Sequence, residues 1–142
     1  MSSEKNVETF RKLMIEGFSR GNVQVIDEVF GPDFVEHQDG ISPPNAEGVK
    51  GAISFLHAAM PDLTIVIDEV IAHGDKTWAR MTAHGTNTGP FMGMPPTNRS
   101  YTITVIDICR FVDGKIVEHW GVADRLAQLS QLGLFPPRRP EG

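Results

Sequence analysis

Apolar residues recur at helix-face spacing over the first sixty positions and alternate beyond Pro61. Val7, Phe10, Leu13, Met14 and Phe18 fall on one face of an N-terminal helix that Ser2 or Ser3 can cap and Gly21 ends. Asn22 can cap a second, shorter helix carrying Val25, Ile26, Val29 and Phe30, which Gly31-Pro32 stops. A short extended piece, Phe34-Val35-Glu36-His37-Gln38, leads into a loop from Asp39 to Asn45 dense in turn residues. Ala46 to Met60 reads as a third helix, closed by Pro61.

The period then becomes that of strands. Leu63, Ile65, Ile67 and Ile71 share one face of a first long strand, turned at Gly74-Asp75. Lys76 to Thr88 reads as a second strand and about Arg99 to Val112 as a third. The intervening Gly89–Asn98, with two Gly and three Pro, is irregular. Asp113-Gly114 turns the chain into a fourth strand through Glu118, His119 and Trp120 toward Asp124. Leu126, Leu129 and Leu132 then mark a closing helix that Gly133 ends. The tail from about residue 135 is rich in Pro and Arg and is expected to pack loosely. Helices first, a strand meander next and a helix last predict one α+β domain over residues 1–142. Its helices cover one face of a curved, mostly antiparallel sheet, with a pocket between them.

Alternation sorts the candidate chemistry by face. On the second strand Trp78, Arg80, Thr82, His84 and Thr86 share a face that must meet water or a cavity, because burying Arg80 unpaired would be costly. Ala79, Met81 and Ala83 lie opposite and suit packing against helices or a second subunit. On the third strand Asp107 interrupts an apolar row of Tyr101, Ile103, Val105, Cys109 and Phe111. Such an acid is either ion-paired, with Arg80 or Arg110 for instance, or catalytic. On the fourth strand Glu118, Trp120 and Asp124 oppose His119, so His119 and Asp124 converge only across a bulge, which Gly121 could supply.

Charge and composition narrow the classes. The net charge of −5 argues against nucleic acid as the main partner, since phosphate binding needs a positive face. No apolar run approaches the length of a membrane span, and the N-terminus lacks an apolar signal segment, so a cytoplasmic protein is the default expectation. The lone Cys109 reads as a core residue. Nucleotide-binding glycine motifs, paired cysteines and metal-binding His spacings are not found, so neither cofactor nor metal is expected. Scattered acids and imidazoles remain, the equipment of acid/base chemistry.

The run G-K-I-V-E-H-W-G-V-A-D followed by L-A-Q-L-S-Q-L-G, M-P-D-L at Met60 to Leu63, and H-G-T-N-T-G-P-F-M-G-M-P-P-T-N-R from His84 resemble the SnoaL-like polyketide cyclases, also called ester cyclases. The resemblance implies the cone-shaped α+β barrel of the nuclear-transport-factor-two-like superfamily. It also implies cofactor-free ring closure by intramolecular aldol condensation, or a related lyase or isomerase step, on a polycarbonyl or aromatic small molecule. An aspartate late in the sheet acts as acid/base in that family, and Asp124 is the acid this run offers. Relatives of this type carry an aspartate directly after the His-Trp pair, where this chain has Gly121; Asp107 on the neighbouring strand is then the substitute. Asn87 stands where His is common in the family's loop, and His37 where ketosteroid isomerase places its base. Asp124, His119, Asp107, His37 and Arg80 are therefore the candidate catalytic residues. Trp78, His84, Tyr101 and Trp120 are the candidate pocket lining. Two alternatives keep the fold: a non-enzymatic small-molecule-binding protein, and an epoxide hydrolase, although Arg80 is followed two residues on by Thr82 rather than by the acid that chemistry uses. A homodimer or larger homo-oligomer is expected through Ala79, Met81 and Ala83.

Overall fold

The computed structural model describes residues 3–135. The elements run α1 (Ser3–Lys12), α2 (Val25–Val29), β1 (Phe30–Glu36), α3 (Ala46–Ala59), β2 (Thr64–His73), β3 (Lys76–Thr86), β4 (Ser100–Val112), β5 (Lys115–Ala123) and α4 (Arg125–Gln131). The expected tail beyond Phe135 and the cap at Ser2 lie outside the described residues. A π-helical stretch, Leu13–Ser19, continues α1. Its wider turns bury Gly17 and leave Phe18 only half-buried. Asn45 caps α3 by accepting from the Gly48 N–H.

The strands form one sheet in the order β1-β5-β4-β3-β2. Every pair is antiparallel except β1 with β5. The helices cover one face, giving the cone-shaped α+β architecture. Near α1, Phe10, Leu13, Met14, Val25 and Ile26 meet Met81, Cys109, Phe111 and Ile116 of the sheet. Near α4, Met60, Leu63, Phe91, Tyr101, Ile103 and Leu132 form a second cluster. Each large side chain fully buried in these clusters is worth about 1.5–3 kcal/mol.

Three positions differ from the strand reading. β1 begins at Phe30 and includes Gly31-Pro32. It is an edge strand with a register shift between Phe30 and Val35, where a proline costs no ladder bond. On β2 the register shifts between Ile67 and Glu69. The extra residue turns Val70 inward, and Ile71, expected beside Ile67, points to solvent at 63% exposure. On β5 the bulge falls at Val117, between the pairs Arg110↔Glu118 and Phe111↔Ile116, and not at Gly121. Ile116 and His119 consequently both face the core, three residues apart.

The face of β3 holding Ala79, Met81 and Ala83 is buried under the helices. It is not free for the subunit contact expected of it. The opposite face is the outer surface of the sheet, where Trp78, Arg80 and His84 are exposed.

Candidate active site

Three inward positions on three strands bring their side chains together. Phe34 and Glu36 alternate inward at the end of β1. Asp107 stands mid-β4 opposite Gly121, and His119 stands opposite Cys109. Glu36, Asp107 and His119 are each at most 4% exposed. His119 lies between the two acids: Nδ1 is 2.6 Å from Glu36 Oε2 and Nε2 is 2.8 Å from Asp107 Oδ2. Both ring nitrogens therefore carry protons and donate. Burial pushes the His119 pKa down, but Asp107, by charge and hydrogen bond, and Glu36 outweigh it and raise it from 6.5 to about 10. No ring lone pair is left for a metal ion. The neighbouring Cys109 thiol is pushed well up by burial and by the two acids, which keeps it an inert core residue.

An imidazolium flanked by two carboxylates carries one net negative charge. It has one uncommitted oxygen: Asp107 Oδ1 is buried and meets no hydrogen-bond donor. A Cβ at Gly121 would stand 2.7 Å from this oxygen, 3.0 Å from His119 Cε1 and 2.3 Å from Gln38 Oε1. The missing side chain at 121 thus leaves the space that Gln38 enters. Gln38 also lines a cavity of about 470 Å³, walled by Ile41, Phe55, Phe91, Met92 and Arg125 among others. Gln38 thus touches both this cavity and the space beside Gly121 that adjoins the buried acid.

The other expected residues sit elsewhere. Asp124 is exposed and caps α4, accepting from the Ala127 N–H at 3.0 Å. The turn into α4 thus engages it, and it does not join His119. His37 is on the outer surface, its ring stacked on Trp120 at 4.7 Å, with Glu118 Oε2 3.7 Å from Nε2. Arg80 is on the same surface beside Glu69 at 3.5 Å and Asp68 at 3.7 Å. His84 Nδ1 meets Thr102 Oγ1 at 3.0 Å there, and Trp78 lies in the same face. Strict alternation explains all four, since each is one residue out of phase with the buried row. Tyr101 is buried beside Phe91 and Leu132 in the second core cluster, and burial raises its pKa. Asn87 ties the irregular loop down, donating to Ala59 O and Gly89 O and accepting from Thr97 N–H and Oγ1–H.

Glu36 and Gln38 are the site residues that sequence reasoning passed over. Phe34 offered the signal: if it faces the core, then Glu36 and Gln38 do too, and His37 does not.

Among the described residues no helix is long and apolar enough to cross a membrane. The sequence is 29% identical over 136 residues to the aklanonic acid methyl ester cyclase DauD of Streptomyces sp. strain C5, covering 91% of this chain and 82% of that one. The fold is similar to that of TsrD from Streptomyces laurentii, with a TM-score of 0.84, 26% identity and 94% and 98% of the two chains covered. It is also similar to that of IdmH from Streptomyces antibioticus, with a TM-score of 0.79, 35% identity and 91% and 99% covered. The profile of the SnoaL-like polyketide cyclases matches residues 8–132, from α1 to the end of α4, and the chain belongs to that family.

Proposed function

We propose that this protein closes a ring in a polycarbonyl small molecule by intramolecular aldol condensation, with Asp107 as the acid/base. The observation that carries the reading is the buried Glu36–His119–Asp107 row, with Asp107 Oδ1 unpartnered behind Gln38. Asp107 takes a proton from the carbon between two carbonyls. The resulting carbanion attacks a distant ketone carbon of the same molecule, forming a C–C bond and converting C=O to alkoxide. Asp107 returns the proton to the alkoxide, so the product is an isomer of the substrate. His119, held by Glu36, keeps Asp107 oriented and balances its charge. Gln38, at the cavity edge with its Oε1 toward Gly121, turns its amide so that the N–H donates to the enolate oxygen as it forms. For the substrate to reach Asp107 Oδ1, Gln38 swings out of the space that Gly121 leaves.

The names of the relatives supply a first substrate class, methyl esters of polyketide acids. Incubation with aklanonic acid methyl ester, without added metal or cofactor, is expected to give a product of unchanged mass and new retention time. Unaltered substrate in the presence of tight binding would turn the reading toward a carrier of the same fold.

We further propose a homodimer through the outer face of the sheet. Ile71, Trp78, Ile108 and Trp120 are in register across four strands there, and Val66, Ile106 and Val122 are exposed nearby. The charged groups of that face lie beside partners within it, Arg80 with Asp68 and Glu69 and His37 with Glu118, so the apolar strip can meet its copy without a charge complement.

A further inference from the structure

One wall of the cavity beside Gln38 is a helix face with little on it. Gly48, Gly51, Ala52 and Phe55 of α3 all line it, at the spacing that places residues on one side of a helix. Packing accounts for Gly48, since a Cβ there would stand 1.7 Å from the Pro43 carbonyl oxygen. Gly51 has no such reason. It is exposed in the interior of a 14-residue helix, and a Cβ there would meet nothing within 4 Å. Glycine inside a helix destabilises it relative to alanine, so neither packing nor the backbone calls for it at this position. What the missing side chain does leave open is the ring of Phe55. Helical side chains lean toward the N-terminus, over the residue four positions earlier. Phe55 is 48% exposed, with its ring 5.8 Å from that of Phe91 at 41°. The cavity also reaches Gln38, which adjoins the buried and unpartnered Asp107 Oδ1 through the space at Gly121.

From this arrangement we infer that Gly51 is a specificity-determining position. The bare strip at Gly51 and Ala52 seats a flat, fused aromatic body, which stacks on Phe55 while its reacting end extends toward Gln38. The inference rests on this cavity being the substrate site of the proposed reaction. It names the shape of the substrate within the ester class: planar fused rings in preference to puckered ones. A side chain at position 51 would stand in the ring plane's place. The cavity volume of about 470 Å³ is within the range of sites that enclose molecules of this size.

The test is a calorimetric titration of the full chain with the methyl ester of anthraquinone-2-carboxylic acid, a flat neutral ester, and with testosterone, of similar length but with puckered rings. The wild type is expected to bind the ester about tenfold or more tightly than testosterone. Gly51→Leu is expected to lose about tenfold or more in affinity for the ester, the usual scale of overpacking. Ser54→Leu, the same enlargement at an exposed position of α3 outside the cavity wall, is expected to bind within about twofold of wild type. Gly51→Ala adds a single methyl group. It is expected to melt above the wild type, because alanine is the better helix former, and to bind the ester a few-fold more weakly. Equal affinity of the wild type for the two probes, binding of neither, full affinity for the ester in Gly51→Leu, a loss shared by Ser54→Leu, or a lowered melting temperature in Gly51→Ala would overturn the assignment. The titration needs no turnover. A ring-closure assay that fails while the preference for the flat ester holds therefore counts against the proposed reaction and not against the seat at Gly51.

Discussion

At His119 two carboxylates act against burial and win, and this fixes the sign of a pH dependence. A folded-state pKa of about 10 against an ordinary 6.5 means that the folded protein binds the proton more tightly than the unfolded chain. The stabilisation is complete below about pH 6.5 and is lost as the pH rises toward 10. Thermal melts between pH 7 and pH 10 are therefore expected to show a falling midpoint. His119→Gln is expected to flatten that slope and to lower stability at pH 7 by about 3–5 kcal/mol, because two buried carboxylates lose the cation between them. A rising or flat midpoint in the wild type would contradict the charge assignment. At Asp124 the chemistry is different. Its carboxylate caps α4, and asparagine caps about as well. Asp124→Asn is expected to leave activity and stability near wild type, and Asp124→Ala to lower the stability by about 1 kcal/mol without touching the reaction.

Among the elements, the alternating pattern made the inward row of β4 legible, Asp107 included, because Tyr101, Ile103, Cys109 and Phe111 define that face without a break. The helices were legible for the same reason. The bulges at Asp68 and Val117 were not, since neither residue is unusual for a strand and a bulge depends on the partner strand's register. This is why Ile71 was expected on the wrong face. Glu36 was within reach of the sequence but depends on phasing a strand of only seven residues, whose partner, β5, is some eighty positions away. The Gly89–Asn98 connection could be typed only as irregular. It is anchored by buried Phe91 and by Asn87, whose amide is saturated by four partners. Asn87→Ala is expected to lower stability by about 1–3 kcal/mol through the backbone groups it leaves unpaired. It is also expected to raise hydrogen exchange at residues 88–98. Unchanged exchange there would show that the loop is held by Phe91 instead.

For the molecule as a whole, one sheet serves two purposes through its two faces. The inner face builds the core and the buried acid, and the outer face exposes Val66, Ile71, Trp78, Ile106 and Val122. Val122 is 72% exposed and Ile106 is 44% exposed, adjacent in register on β5 and β4. The double variant Ile106→Glu, Val122→Glu is expected to sediment as a monomer, with the wild type a dimer and the monomer still folded. A monomeric wild type would dismiss the proposed interface and leave the active site untouched.

The central claim is that Asp107, and not Asp124, moves the proton. It is tested most directly by single-turnover rates of Asp107→Asn and Asp124→Asn on a substrate that the wild type cyclises, with the dissociation constant of each variant measured in parallel. The account predicts that Asp107→Asn binds within a few-fold of wild type and loses about 10²–10⁴-fold in rate, while Asp124→Asn stays within about twofold. A rate retained by Asp107→Asn, or lost by Asp124→Asn alone, would contradict it.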